Sequence, residues 1–305
     1  MKQAIWMVIA SLAFSLMGVV IKFAANDFNT AELVAYRGGL SALIIYLVIR
    51  VKGGSLKTQY PALHVQRSVI GVLSLATWFY AIAGLPLSTA MTLNYMSSIW
   101  LAAFLIGGAL MLRLQGSAGQ RDDSMFDSWL IVTVLVGFAG VGLILRPTLA
   151  QNQLWHGFIG LLSGIGAAIA YIQVAALGRV GEPSYRVVFY FSLCAAVGGA
   201  IVACFIGWSP VTWKGVALLV PLGLLAVVGQ VLLTRAYSGG TSDSTLTAAC
   251  LQYTGVLFSA LFGVWIFSDV LTWHSWLGMS MIVVSGVAAT LLRRRSQPAL
   301  PEEER

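Results

Sequence analysis

Between Arg67 and Arg113 the chain carries no charged residue, and the same holds between Arg146 and Arg179 and between Asp243 and Asp269. About 20 consecutive apolar residues cross the hydrocarbon of a bilayer. The first stretch is therefore long enough for two crossings, and Pro86 marks the turn between them. None of these runs shows the two-residue alternation of an outer-membrane barrel strand, so they are helices. Composition agrees. Of 305 residues, 58% are hydrophobic and 10% charged, against about 25% charged in a soluble domain. Too little polar surface remains to cover soluble domains of this length. Disorder, a collagen-like chain and a disulfide scaffold are excluded as well.

The expected fold is an all-α polytopic membrane protein. Apolar runs place ten transmembrane helices near residues 4–24, 31–49, 68–84, 88–112, 128–145, 157–177, 187–206, 215–233, 245–267 and 275–292. The first run follows Lys2, as a secretory signal would, but it is long for one and ends without an A-x-A pattern. It is expected to remain as a helix.

With the N terminus inside, most Lys and Arg fall on the cytoplasmic side, leaving Lys22, Arg37, Arg146 and Lys214 outside. That bias makes both termini cytoplasmic. The formal charge of +7 is then a topology signal, and no nucleic-acid partner is implied. Cys194, Cys204 and Cys250 lie within apolar runs at spacings that suit no metal. They read as packing residues, and no cofactor is expected.

The two halves of the chain resemble each other. Val34-Ala-Tyr-Arg-Gly-Gly-Leu-Ser-Ala42 aligns with Val187-Val-Phe-Tyr-Phe-Ser-Leu-Cys-Ala195, and Leu93-Asn-Tyr95 with Leu251-Gln-Tyr253. Gly140-Val141 aligns with Gly286-Val287. Five helices per copy is an odd number, so the second copy enters the membrane from the opposite side. Inverted repeats of this kind are characteristic of secondary transporters, with the substrate near the midplane. The expected domains are a first repeat at 1–148, an inverted second repeat at 149–295, and a disordered cytoplasmic tail at 296–305.

Several segments are similar to the EamA-type ten-helix branch of the drug/metabolite transporter superfamily. They are Gly137-Phe-Ala-Gly-Val-Gly-Leu-Ile-Leu-Arg-Pro147, the glycine-rich run 157–170, Arg37, the stretch 79–90, and Phe267-Ser-Asp-Val-Leu-Thr272 with Trp276-Leu-Gly278. The resemblance covers about residues 4–292. It departs from the family in two ways. Where a proline often follows the polar pair, this chain has Ser97-Ser98 and Gly255. The acidic residue that ends the fourth helix is replaced by Leu112-Arg113-Leu114, and its second-half counterpart is Asp269. The resemblance implies a carrier of small metabolites, often an exporter, working by alternating access without ATP. No G-x-x-x-x-G-K-[ST] loop occurs.

A polar side chain within hydrocarbon needs a partner or a water-filled cavity. Asn94, Ser97 and Ser98 share one side of the fourth helix, beside Ala90, and Tyr95 is a further candidate. Gln252 and Tyr253, with Gly255 and Ser259, repeat the arrangement on the ninth. These groups line a cavity for a zwitterionic or hydroxylated solute, or they bond neighbouring helices together. Gln230, Tyr171, Gln173, Trp78 and Tyr80 lie at suitable depths too, although Trp and Tyr also form interfacial belts. Arg37 reads as a gate or as a partner for a substrate carboxylate. The alternative is that it snorkels outward or pairs with Glu32. Asp243 is the second expected gating residue.

Glu32, Asp243 and Asp269 are placed at helix ends, and His64, His156 and His274 in loops or at helix ends. Proton coupling therefore has no obvious carrier, and exchange or facilitated diffusion stays open. The glycines at 137, 140, 142, 160, 164 and 166 indicate tight packing within one subunit, hence a monomer, and the short loops without targeting elements suggest a bacterial inner membrane. The competing functions are an intramembrane lipid-modifying enzyme, which would need clustered acids, histidines or a metal, and a non-transporting membrane scaffold.

Overall fold

The structure is a computed structural model that describes residues 2–97, 99–100, 103–104, 107, 128–150, 153–238 and 251–296. Its helices are α1 (Lys2–Ala24), α2 (Thr30–Val51), α3 (Pro61–Gly84), α4 (Leu87–Tyr95), α5 (Ser128–Ala150), α6 (Leu154–Arg179), α7 (Ser184–Ile206), α8 (Trp213–Ser238), α9 (Thr254–Phe267) and α10 (Trp273–Ser296). Six of them, α1 to α3 and α6 to α8, are long and apolar enough to cross a membrane. Shorter apolar helices run over Val132–Leu143 and Thr254–Phe267. The protein is an all-helical integral membrane protein over the described residues.

Local chemistry sets the helix ends. Asn29 and Glu32 form a capping box at the start of α2, each satisfying a backbone N–H that the first turn leaves free. Pro61 opens α3, where its missing N–H costs nothing. α9 stops at Ser268, which is left-handed at φ 54.

The most extensive helix pairs are α2 with α7, α3 with α6, α1 with α8, and α5 with α10. α4 packs against α6 and α9. At the α2–α7 crossing the backbones touch: a Cβ on Gly199 would come 2.6 Å from Ala35 N, and one on Gly38 would strike Ala196 N. Only glycine permits that approach. Gly137, Gly140, Gly160, Gly164 and Gly166 likewise face other helices of the same chain, whereas Gly142 has open space. Met7, Met17, Phe79, Ile82, Leu87, Met91 and Leu93 fill the interior. Leu43, Leu47, Leu73, Ile201, Leu257 and Leu261 face outward, where lipid is the solvent.

Four expectations change. α3 begins at Pro61 rather than near Ser68, so Arg67 and His64 are helical and buried, 3% and 2% exposed. The apolar run alone could not show this, because a charge reads as the edge of a span. The fourth helix is interrupted: α4 ends at Tyr95, and helical structure resumes at Ser97 and at 99–100. At the ninth, Leu251 is helical, Gln252-Tyr253 form a turn and α9 begins at Thr254. α5 extends through Arg146-Pro147 to Ala150, where a loop was expected. Ser98, Asp243, Arg113, Cys250 and the tail beyond Ser296 lie outside the described residues.

Candidate functional site

A small cavity of about 60 Å³ lies among α1, α2, α3, α4, α6, α7 and α8. Of the residues singled out from the sequence, Arg37, Trp78, Asn94, Tyr95, Tyr171 and Gln230 line it, joined by Phe14, Arg67, Ser74 and Phe191. The others stand elsewhere. Tyr80 stacks on His156 at 4.7 Å. Tyr253 lies against Gly286 of α10. Ser97 and Gln173 are buried but are not part of the cavity wall.

Asn94 Nδ2 donates to Ser163 Oγ at 3.1 Å, and Ser163 Oγ donates to Gly160 O at 2.6 Å. The amide is thereby fixed to α6 while still facing the cavity. Gln252 acts one layer back. Its Oε1 accepts from Tyr237 OH at 2.8 Å, and its Nε2 donates to Tyr171 OH at 3.1 Å. The two tyrosine rings stack at 5.3 Å. Because the Tyr171 oxygen accepts this bond, its hydroxyl proton remains available to a cavity ligand.

Arg37 neither snorkels nor pairs with Glu32. It is 1% exposed, and its Nη2 donates to Gln230 Oε1 at 3.3 Å. Glu32 is engaged instead by the Asn29 amide at 2.7 Å and by the Ser209 backbone and hydroxyl. The guanidinium of Arg67 lies 4.4 Å from the Phe191 ring, and that of Arg37 lies 5.0 Å from the same ring. Sequence reasoning passed over Arg67. The available signal was Pro61, a residue suited to the first turn of a helix, which puts Arg67 well inside α3.

Polar clusters hold the two ends of the bundle. At the end where α1 finishes and α4 begins, Lys22 Nζ pairs with Asp269 at 3.1 Å, and the Leu87 amide donates to the same carboxylate at 3.0 Å. One acid thus ties α1, α4 and the chain after α9. At the other end, Glu182 accepts from Thr58 Oγ1 at 2.7 Å and from Arg186 Nη1 at 2.8 Å, with His64 Nε2 at 3.3 Å. Burial pushes the Glu182 carboxyl up, but these partners outweigh it and hold it below its ordinary range.

No family model matches the chain. Whole-chain relatives are nonetheless found. The pseudopaline exporter CntI of Pseudomonas aeruginosa is 32% identical over 94% of this chain and 95% of its own length. A riboflavin transporter of Rhizobium johnstonii is 25% identical over 97% and 94%. An S-adenosylmethionine uptake transporter of Rickettsia bellii is 23% identical over 87% and 84%. A crystal structure at 18% identity superposes with a TM-score of 0.63 over 97% of this chain and 99% of its own, which shows a shared fold. With near-complete alignment to transporters and a polar cavity inside an apolar helical bundle, the chain belongs to the drug/metabolite transporter superfamily, whose members carry small metabolites across membranes.

Proposed function

We propose that this small-metabolite transporter works by alternating access around the cavity, as an exporter or exchanger in a bacterial inner membrane. The moving parts are two inverted five-helix repeats, residues 1–148 and 149–295. The observation that carries this reading is the pair of turns at Met96 and at Gln252-Tyr253, which fall within two residues of each other when Leu93-Asn-Tyr95 is aligned with Leu251-Gln-Tyr253. Broken helices are tolerated in a membrane where they line a cavity, and they recur at transporter binding sites. The pairings α2–α7, α5–α10 and α4–α9 each join helices of the same rank in the two halves, and α3–α6 mirrors α1–α8. A pseudo-two-fold axis would produce that pattern.

Export is favoured because the relative at 32% identity is an exporter, whereas the uptake transporter stands at 23%. Asn94, Tyr95, Tyr171, Trp78 and Gln230 contact the substrate in this reading, and Gln252 positions Tyr171. Both termini face the cytoplasm. No observation favours a lipid-modifying enzyme or a scaffold.

Comparing metabolites inside and outside cells with and without the gene tests the function. One or a few solutes should be depleted inside and enriched in the medium, and unchanged profiles would refute it. Reporter fusions after Arg305 and within 52–57 should score cytoplasmic, and a fusion near Trp155 external. A cytoplasmic score near Trp155 would overturn the inverted topology.

A further inference from the structure

The cavity is rich in hydrogen-bond donors that have nothing to donate to. Arg37 Nε and Nη1, Arg67 Nε and Nη1, Trp78 Nε1 and Tyr95 OH are all buried and make no hydrogen bond within the protein. All four residues line the cavity, and Tyr171 adds a hydroxyl proton that its bond to Gln252 leaves free. The acceptors there are neutral: hydroxyl oxygens, the Asn94 side-chain oxygen, and Gln230 Oε1, which already takes Arg37. No carboxylate among the described residues lines the cavity.

The charge is equally one-sided. Among the described residues, neither arginine is paired with a carboxylate. Asp269, Glu182 and Glu32 are each engaged elsewhere, at the bundle ends. A buried cation without a counter-ion is strongly unfavourable. The Phe191 ring eases that cost for both guanidiniums, but a cation–π contact satisfies no N–H. Gly71 leaves room for the Arg67 guanidinium to lie against its own helix: a Cβ there would collide with Nη1. Two positive charges are thus held against one ring, beside three further neutral donors.

Resting on the carrier reading above, we infer that the substrate is an organic anion whose carboxylate is bound between Arg37 and Arg67 at Phe191. A carboxylate is acceptor-only and matches the planar fork of a guanidinium. Its arrival supplies the missing counter-ion and satisfies the orphaned donors together. Trp78, Tyr95 and Tyr171 then contact the remainder of the molecule through ring faces and single donors. A cationic solute would meet two like charges, and a neutral one would leave both arginines unpaired.

The test uses full-length protein reconstituted in liposomes loaded with a cell metabolite extract, with released species identified by mass spectrometry. Species released faster than from protein-free liposomes should carry carboxylates. Arg37→Gln and Arg67→Gln should each slow that release by about tenfold or more, the scale of one lost charged hydrogen bond. Arg37→Lys and Arg67→Lys keep the charge without the fork and should give intermediate rates at an unchanged elution profile. The lysine pair decides the matter if a glutamine variant does not fold. Release confined to neutral, cationic or carboxylate-free phosphorylated species would overturn the inference and leave the carrier reading standing. So would parent-like rates in the folded arginine variants. Release no faster than from protein-free liposomes would instead refute the carrier reading itself.

Discussion

The turn at Met96 after α4 and the turn at Gln252-Tyr253 before α9 fall within two residues of each other in the alignment of the two halves, yet their neighbours support them by different means. Beside α4, helix α6 presents Gly164, so close that a Cβ would come 2.5 Å from Leu93 O. Beside α9, helix α1 presents two hydroxyls. Ser11 Oγ donates to Gln252 O at 3.2 Å, and Ser15 Oγ lies 3.1 Å from Gly255 O. The first turn rests on a close backbone approach beside the Asn94–Ser163 bond, and the second on hydroxyl-to-carbonyl hydrogen bonds. The amides diverge in the same way, since Asn94 lines the cavity while Gln252 orients Tyr171 from behind. Alignment of the halves therefore locates a residue without assigning its task.

The sharpest way to break this contrast is to fill the space that shape requires. Gly164→Val sets a branched side chain against a backbone carbonyl, which has no flexible end to swing aside. Overpacking costs about 1–3 kcal/mol and occasionally more, and here the upper part of that range or beyond is expected. Transport should be abolished and the thermal midpoint in detergent should fall steeply. Gly255→Ala is the counterpart. Its Cβ would meet the outer ring atoms of Tyr95 at 2.6 Å, and that ring can tilt into the cavity. Stability should fall less than with Gly164→Val, while apparent substrate affinity weakens. Equal stability losses in the two variants would remove the distinction between a backbone and a side-chain neighbour.

Next in size are the two amides. Gln252→Ala removes two side-chain hydrogen bonds, one from Tyr237 OH and one to Tyr171 OH, each worth about 0.5–1.5 kcal/mol. Counterflow in proteoliposomes should slow about tenfold, with a measurable loss of stability. Asn94→Ala should weaken transport while costing only about 0.6 kcal/mol, the usual worth of a bond between membrane helices. Ser163 keeps its bond to Gly160 O in that variant. If Asn94→Ala destabilised the protein more than Gln252→Ala, the assignment of front and back layers would be reversed.

Much of this arrangement was legible in the chain. Helices register as charge-free apolar runs because hydrocarbon tolerates little else, and Asn94 and Gln252 stood out as polar residues inside them. The breaks were not legible. The proline that would have announced them is absent, and Gly255 and Ser97 are compatible with a continuous helix. Arg67 was hidden by the same logic that found the spans, since a charged residue at the edge of an apolar run resembles a loop. Arg37 looked like an outer-end residue until α7 and α8 packed over it. Its position follows from contacts far apart in sequence, such as the bond to Gln230, which no local pattern encodes.

The smallest expected effect probes the hydrogen-bonded side of the contrast. Ser15 Oγ stands 2.9 Å from Ser11 O and 3.1 Å from Gly255 O, so its single proton is shared between two carbonyls. Neither carbonyl depends on it entirely. The Ser11 carbonyl retains its place in the helical ladder of α1, and the Gly255 carbonyl can accept from within α9. Ser15→Ala removes one shared bond, opens almost no space and adds no atom. The loss should be about 0.6 kcal/mol or less, a small downward shift of the thermal midpoint with near-normal counterflow. Ser11→Ala/Ser15→Ala together should remain milder than Gly164→Val, because α1 and α9 would still meet across their apolar surfaces. Collapse of the folded protein in Ser15→Ala alone would mean that the ninth-helix break depends on that hydroxyl as strongly as the fourth depends on its glycine.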